Sequence, residues 1–212
     1  MRRHRGFAVS LAIGIVLVVQ SSALAATTNV SATNFVFTPS SVKIKLGDSV
    51  AWTNGTTGTQ HTSTSDGVND GDGTAGIALW DSRTIQPGNT FTFQFKFAGG
   101  FPYHCTFHQS LGMTGTVKVP VTANPTRGMT STTFTITWAT AAPPSGDVFD
   151  VQIERPGNTS FSRWSGHTGI TTSSGTFVPN AGTGTYSFRA RLRDSMTGAK
   201  SGYSPPKSIS VS

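Results

Sequence analysis

The side chains best suited to chemistry gather in one short stretch, residues 101–115. It contains the chain's single cysteine, Cys105, two of its five histidines, His104 and His108, and one of its four methionines, Met113. The spacing Cys105-x2-His108-x4-Met113 puts a thiolate, an imidazole and a thioether on one loop. Thiolate and imidazole together suit copper or zinc. A thioether standing weakly off a plane of two imidazoles and one thiolate describes a blue-copper site. The loop supplies one imidazole, so a second must come from elsewhere in the chain.

Among the remaining histidines, His167 lies in the other half of the chain. His104 adjoins Cys105, and neighbouring residues of a strand point to opposite faces, so the two cannot both turn toward one ion. That leaves His61, which follows the strand end Trp52-Thr53-Asn54 after a Gly/Thr-rich loop. The expected ligand set is His61, Cys105, His108 and Met113, holding one type 1 copper ion. In such a set the thiolate donates strongly in both oxidation states, and the long thioether contact favours the softer cuprous ion. Backbone amides near Thr62 and Phe107 are the expected hydrogen-bond donors to the Cys105 sulfur.

The elements that must position these side chains read as strands. Apolar residues alternate along 41–46, 49–53 and 91–97. In the last run, four phenylalanines share one face opposite Thr92, Gln94 and Lys96. Segments 35–37, 61–64 and 114–119 complete the first half. Gly, Ser and Thr are abundant and no long helical period appears, which points to an all-β chain. Residues 120–128, rich in Pro, Thr and Asn, read as a linker. Further strands follow at 132–139, 149–155, 161–166, 175–178, 185–193 and 207–211, a spacing that suggests an immunoglobulin-like sandwich.

The first 25 residues read as a secretory signal. Arg2, Arg3 and Arg5 precede an apolar run over 7–19 and the small residues Ser22-Ala23-Leu24-Ala25. Export to a periplasmic or extracellular space follows, with no membrane span after cleavage. An unpaired cysteine is unusual in an oxidising compartment, and a metal-bound thiolate accounts for it. The formal charge of +7 falls to +4 without the three leader arginines, and the excess lies after residue 120. It includes Arg189, Arg191 and Arg193, alternating on one strand face. No nucleic-acid motif accompanies them, so the expectation is an acidic or cell-surface partner for the C-terminal domain and no nucleic acid. Residues 66–73 look like a calcium loop but fail the pattern, since Val68 occupies a ligand position and Ile77 stands where a bidentate glutamate belongs.

Several motifs together resemble plastocyanin- and amicyanin-type cupredoxins over about residues 29–119. They are Leu46-Gly47-Asp48-Ser49-Val50-Ala51-Trp52-Thr53-Asn54, His61-Thr62, Ile85-Gln86-Pro87-Gly88, Tyr103-His104-Cys105-Thr106-Phe107-His108 and Met113-Thr114-Gly115-Thr116-Val117. Tyr103-His104-Cys105-Thr106 is similar to amicyanin, while the loop spacing matches plastocyanin and pseudoazurin. Phe107 stands where the family often has proline, and Thr62 where plastocyanin has asparagine. The second half resembles fibronectin type III modules through Trp138, a corner tyrosine at Tyr186, and Ser201-Gly202-Tyr203-Ser204-Pro205-Pro206. The resemblance implies a cupredoxin Greek-key β-sandwich followed by a fibronectin-like sandwich, divided as signal 1–25, domains 26–120 and 121–212. It also implies single-electron carriage to redox partner proteins, not catalysis. Electrons would pass through the exposed His108 edge, ringed by Pro102, Phe107, Leu111 and Gly112. Two other functions remain open at this point, an adhesive or interaction protein and a copper storage or delivery protein.

Overall fold

A computed structural model describes residues 25–55, 58–66 and 76–212. Most of the expected leader and all of the calcium-like loop except Asp66 lie outside the described residues. The N-terminal half is built from β1 (Thr27–Thr33), β2 (Val36–Thr38), β3 (Ser41–Lys43), β4 (Ser49–Asn54), β5 (Thr64–Ser65), β6 (Thr90–Gln94), β7 (Gly99–His104) and β8 (Thr114–Val119). They form two four-stranded sheets, ordered β2-β1-β4-β6 and β3-β8-β7-β5. Alternate residues face inward, Val30 and Ala32 on β1, Val50 and Trp52 on β4. Trp52 of one sheet meets Tyr103 of the other with ring centroids 5.3 Å apart, and Phe37 meets Tyr103 at 4.8 Å. These contacts close a β-sandwich around an aromatic core.

The C-terminal half comprises β9 (Thr122–Asn124), β10 (Arg127–Gly128), β11 (Phe134–Thr137), β12 (Asp147–Glu154), β13 (Ser162–Ile170), β14 (Ser174–Phe177), β15 (Gly184–Asp194) and β16 (Lys207–Val211). They make a three-stranded sheet, β14-β11-β9, and a five-stranded sheet, β10-β16-β15-β12-β13. Phe177 and Phe188 join the two at 5.1 Å. The Tyr186 hydroxyl donates to the Gly182 carbonyl at 2.9 Å and accepts from the Ala181 N–H at 2.8 Å, which forms the expected tyrosine corner. The chain is all-β, two sandwiches in succession.

Several local expectations change. The stretch 120–128 is not a free linker, because β9 pairs with β11 and β10 with β16. β1 is a strand that its mostly polar sequence concealed, since only Val30 and Ala32 face the core. The alternating run after Ser41 leaves the ladder at Lys43, where the Asp48 carboxylate accepts the Lys45 N–H and tightens a turn. The run at 91–97 leaves its sheet after Gln94, and Phe97 packs on Phe149 at 5.8 Å across the junction between sandwiches. There, Gly100 and Gly202 exchange two backbone hydrogen bonds of 2.8 Å, and the Ala98 N–H donates to the Trp138 carbonyl at 2.7 Å. Strand β7 therefore runs directly from this junction to Cys105. Among the described residues no helix is long and apolar enough to cross a membrane.

Candidate metal centre

Each part of the centre is held by backbone bonds made before any ligand is considered. Past the end of β7, the Cys105 N–H donates to the Met113 carbonyl at 3.0 Å, and the Met113 N–H donates to the His108 carbonyl at 3.2 Å. Between them Gln109–Leu111 forms one 3-10 turn, ended by Gly112 at φ 82°. That left-handed conformation suits glycine, which has no Cβ to clash. The loop thus folds back on itself and brings Cys105, His108 and Met113 together. On the other side, His61 and Ile85 exchange two backbone hydrogen bonds of 3.2 and 2.7 Å. The buried Asn54 amide donates to the Thr59 and Ile85 carbonyls at 2.9 and 2.8 Å, fixing the course of the chain into His61. His61 is therefore carried by a bridge to Ile85, and the strand expected at 61–64 is reduced to Thr64–Ser65.

The side chains of His61, Cys105 and His108 face one point. The Cys105 Sγ lies 3.4 Å from His108 Nδ1 and 3.8 Å from His61 Nδ1, and the two Nδ1 atoms are 3.2 Å apart. A triangle of this size suits three donors each about 2.0–2.3 Å from a shared ion. Among the described residues this is the group of three that could hold a metal. The donor chemistry, one thiolate and two imidazoles, fits copper in a trigonal arrangement. Burial, reinforced by the neighbouring charge of His108, lowers the pKa of His61, which favours the neutral imidazole that a metal requires. Met113 is fully buried, and its backbone is tied to both Cys105 and His108.

Thr62 joins the two sides of the centre. Its backbone N–H donates to the Cys105 sulfur at 3.3 Å, as expected. Its hydroxyl accepts the Thr106 N–H at 2.9 Å and the Thr64 hydroxyl at 3.2 Å. No bond from Phe107 to the sulfur is present among the described residues, because the N–H that turns inward on the loop is that of His108, bonded to the Cys105 carbonyl at 3.0 Å. His104 points away from the cluster, as its position next to Cys105 requires, and its Nδ1 lies 2.7 Å from Asp66 Oδ1 in a buried pair.

The rim departs from expectation at two positions. Phe107, Leu111 and Gly112 are exposed near the half-buried His108. Pro102 instead sits lower in β7, paired with Thr116. Its place on the rim is taken by Phe35, whose ring centroid lies 4.6 Å from that of His108 and 6.5 Å from that of His61. Phe35 has φ 60°, uncommon for a bulky side chain, and remains partly exposed. Nothing in the spacing of Asn34-Phe35 identified it. The hydroxyls of Thr62 and Thr106, each next to a residue of the cluster, were the available signal for the link across the centre.

Residues 24–120 match the family model described as copper binding proteins of the plastocyanin/azurin family. The chloroplastic plastocyanin of Tetradesmus obliquus is 40% identical over 90 residues, which cover 40% of this chain and 58% of that protein. The chain thus spans little more than half of that relative's length. The plastocyanin of Scenedesmus fuscus is 38% identical over 85 residues, 40% of this chain and 86% of that protein. Among solved structures, a purple cupredoxin from Nitrosopumilus maritimus is 26% identical with a TM-score of 0.36, covering 44% of this chain and 98% of that one. The reduced state of an amicyanin mutant is 26% identical with a TM-score of 0.36, covering 45% and 81%. The His–Cys–His cluster could hold a metal ion, and the chain belongs to the plastocyanin/azurin family of copper-binding proteins.

Proposed function

We propose that this protein is an exported, non-enzymatic carrier of single electrons, using His61, Cys105, His108 and Met113 as ligands to one copper ion. The observation that carries the reading is the buried triangle of two imidazole nitrogens and one sulfur, with edges of 3.2 to 3.8 Å. Bound copper would supply a one-electron redox couple. The chain's own contribution is to keep the donors where they are. The bridge to Ile85 holds His61, the Met113 carbonyl holds Cys105, and Thr62 spans the two sides. Donors fixed this firmly need little rearrangement when charge changes, and small rearrangement is what rapid transfer requires. His108, half-buried among Phe35, Phe107 and Leu111, is the proposed port to redox partner proteins. Its small apolar rim suits a brief encounter at the low end of interface sizes.

The domain division at 26–120 and 121–212 and the fibronectin type III-like character of the second sandwich belong to the same proposal, with that sandwich acting as an interaction module. The tyrosine corner at Tyr186 supports its kinship to such modules. Spectroelectrochemistry of the copper-loaded protein tests the function. The expected result is an intense visible band that bleaches and returns reversibly with one electron, and that disappears in Cys105→Ser. Copper that binds without that band, or a band that survives Cys105→Ser, would overturn the assignment.

A further inference from the structure

The second sandwich carries a feature that electron transfer leaves unused. A hollow of about 360 Å³ on the outer face of its five-stranded sheet is lined in part by Arg163, Arg191 and Arg193. A second hollow, about 420 Å³, crosses the junction to the first sandwich and is flanked by Lys43 and Lys118. Those lysines sit opposite each other on the parallel strands β3 and β8. Tyr203 lines both hollows and joins them into one trough.

The charges in this trough do not cancel. Arg191 and Arg193 both bond to the Asp150 carboxylate at 2.9 to 3.2 Å, so one anion faces two guanidiniums. Burial alone would raise the Asp150 carboxyl, but the hydrogen bonds from Arg193 and Arg191 prevail and hold it below its ordinary value, ionised. The Tyr203 ring lies 4.5 Å from the Arg191 guanidinium and 4.4 Å from that of Arg189, which stiffens the row. This ladder accounts for the placement of Arg189, Arg191 and Arg193 but leaves one guanidinium charge of the Arg191–Arg193 pair uncompensated. It does not account for Arg163, Lys43 or Lys118, which are exposed and form no ion pair with a described residue. In the hollow on the sheet, Val151 and Tyr203 are the apolar lining residues, so it offers no dry pocket of the kind that anchors a protein partner. Fixed guanidinium forks suit the paired oxygens of carboxylate or phosphate, and sulfate presents the same oxygens; the absence of a nucleic-acid motif in the sequence favours a carboxylated or sulfated polymer.

We infer that this trough binds an extended acidic polysaccharide, whose carboxylates or sulfates pair with Arg163, Arg191 and Arg193 on one sandwich and with Lys43 and Lys118 on the other. The site stands apart from the copper ligands, so copper-loaded and copper-free protein should bind alike.

Fluorescently labelled polygalacturonate and dextran sulfate, titrated into the full chain, test this directly, with neutral dextran and duplex DNA as comparisons. Binding of at least one acidic glycan, weakened by salt and absent for neutral dextran, is expected; the glycan preferred tells carboxylate from sulfate. The triple variant Lys43→Ser, Lys118→Ser, Arg163→Ser alters only exposed side chains and should bind about tenfold more weakly, the sum of three exposed charge contacts. Its unfolding midpoint should not change. A charge-matched variant outside the trough, Arg83→Ser, Arg127→Ser, Lys207→Ser, should bind like the parent. Failure of both glycans to bind, equal loss in the two triple variants, or tighter binding of DNA than of either glycan would overturn the inference.

Discussion

Thr62 occupies the position where two separate parts of the chain must be kept together, and its hydroxyl accepts the part-buried Thr106 N–H. Thr62→Ala keeps the amide bond to the Cys105 sulfur but strands that donor, at a cost of about 1–2 kcal/mol. Urea unfolding of the copper-free protein should show a lower midpoint; an unchanged midpoint would remove the hydroxyl from the account. Tyr103 presents the opposite case. Its hydroxyl and the Trp52 indole N–H are buried polar atoms without a hydrogen-bond partner, and burial, against a weak opposing influence of that indole, pushes the phenol up to about 12. Tyr103→Phe should therefore be neutral or stabilising by about 1 kcal/mol, measured in the same titration. At this scale the sequence was informative about the His–Cys–His cluster, because Cys105 and His108 lie three positions apart on one loop. It was silent about Phe35, which reaches His108 through a left-handed backbone that residue types alone do not announce.

Strand β12 pairs with β15 along its whole length, and their outward faces bring Asp150 against Arg191 and Arg193. The Asp150 carboxyl is held below its ordinary value of 3.8. A depressed carboxylate stabilises the fold fully above that ordinary value, and the contribution is lost as pH falls through the lower, folded value. Asp150→Asn should therefore cost about 2 kcal/mol near neutral pH and progressively less below pH about 3.8. Thermal unfolding of both proteins across that range checks it, and a difference independent of pH would contradict the ion-pair reading. Strands with strict alternation, such as β8 and β16, were legible to the residue. Those missed share a physical cause. β1 buries only Val30 and Ala32, and β9 and β10 are edge pieces of three and two residues, β10 with its partner about 80 residues on. Their order comes from the sheet they join, not from their own pattern.

The two sandwiches meet at a junction built close, and their buried apolar residues form a single contiguous cluster. A Cβ added at Gly99 would lie 2.7 Å from Phe101 Cζ and 2.9 Å from Ser201 Oγ, so Gly99→Ala must push one sandwich from the other or distort β7. It should destabilise by about 1–3 kcal/mol. Calorimetry should show one unfolding transition in the parent chain; two well-separated transitions would mean the junction does not couple the halves. Strand β7 leads from that junction to Cys105, so a shift at the junction acts on the strand that carries the cysteine. All of this is secondary to whether one ion sits where the three donors converge. X-ray absorption at the copper edge of the loaded protein tests it most directly. The account predicts one short sulfur and two nitrogens around copper, with the sulfur lost in Cys105→Ser and one nitrogen lost in His61→Ala. A shell of nitrogen and oxygen alone, or one unchanged by His61→Ala, would contradict it.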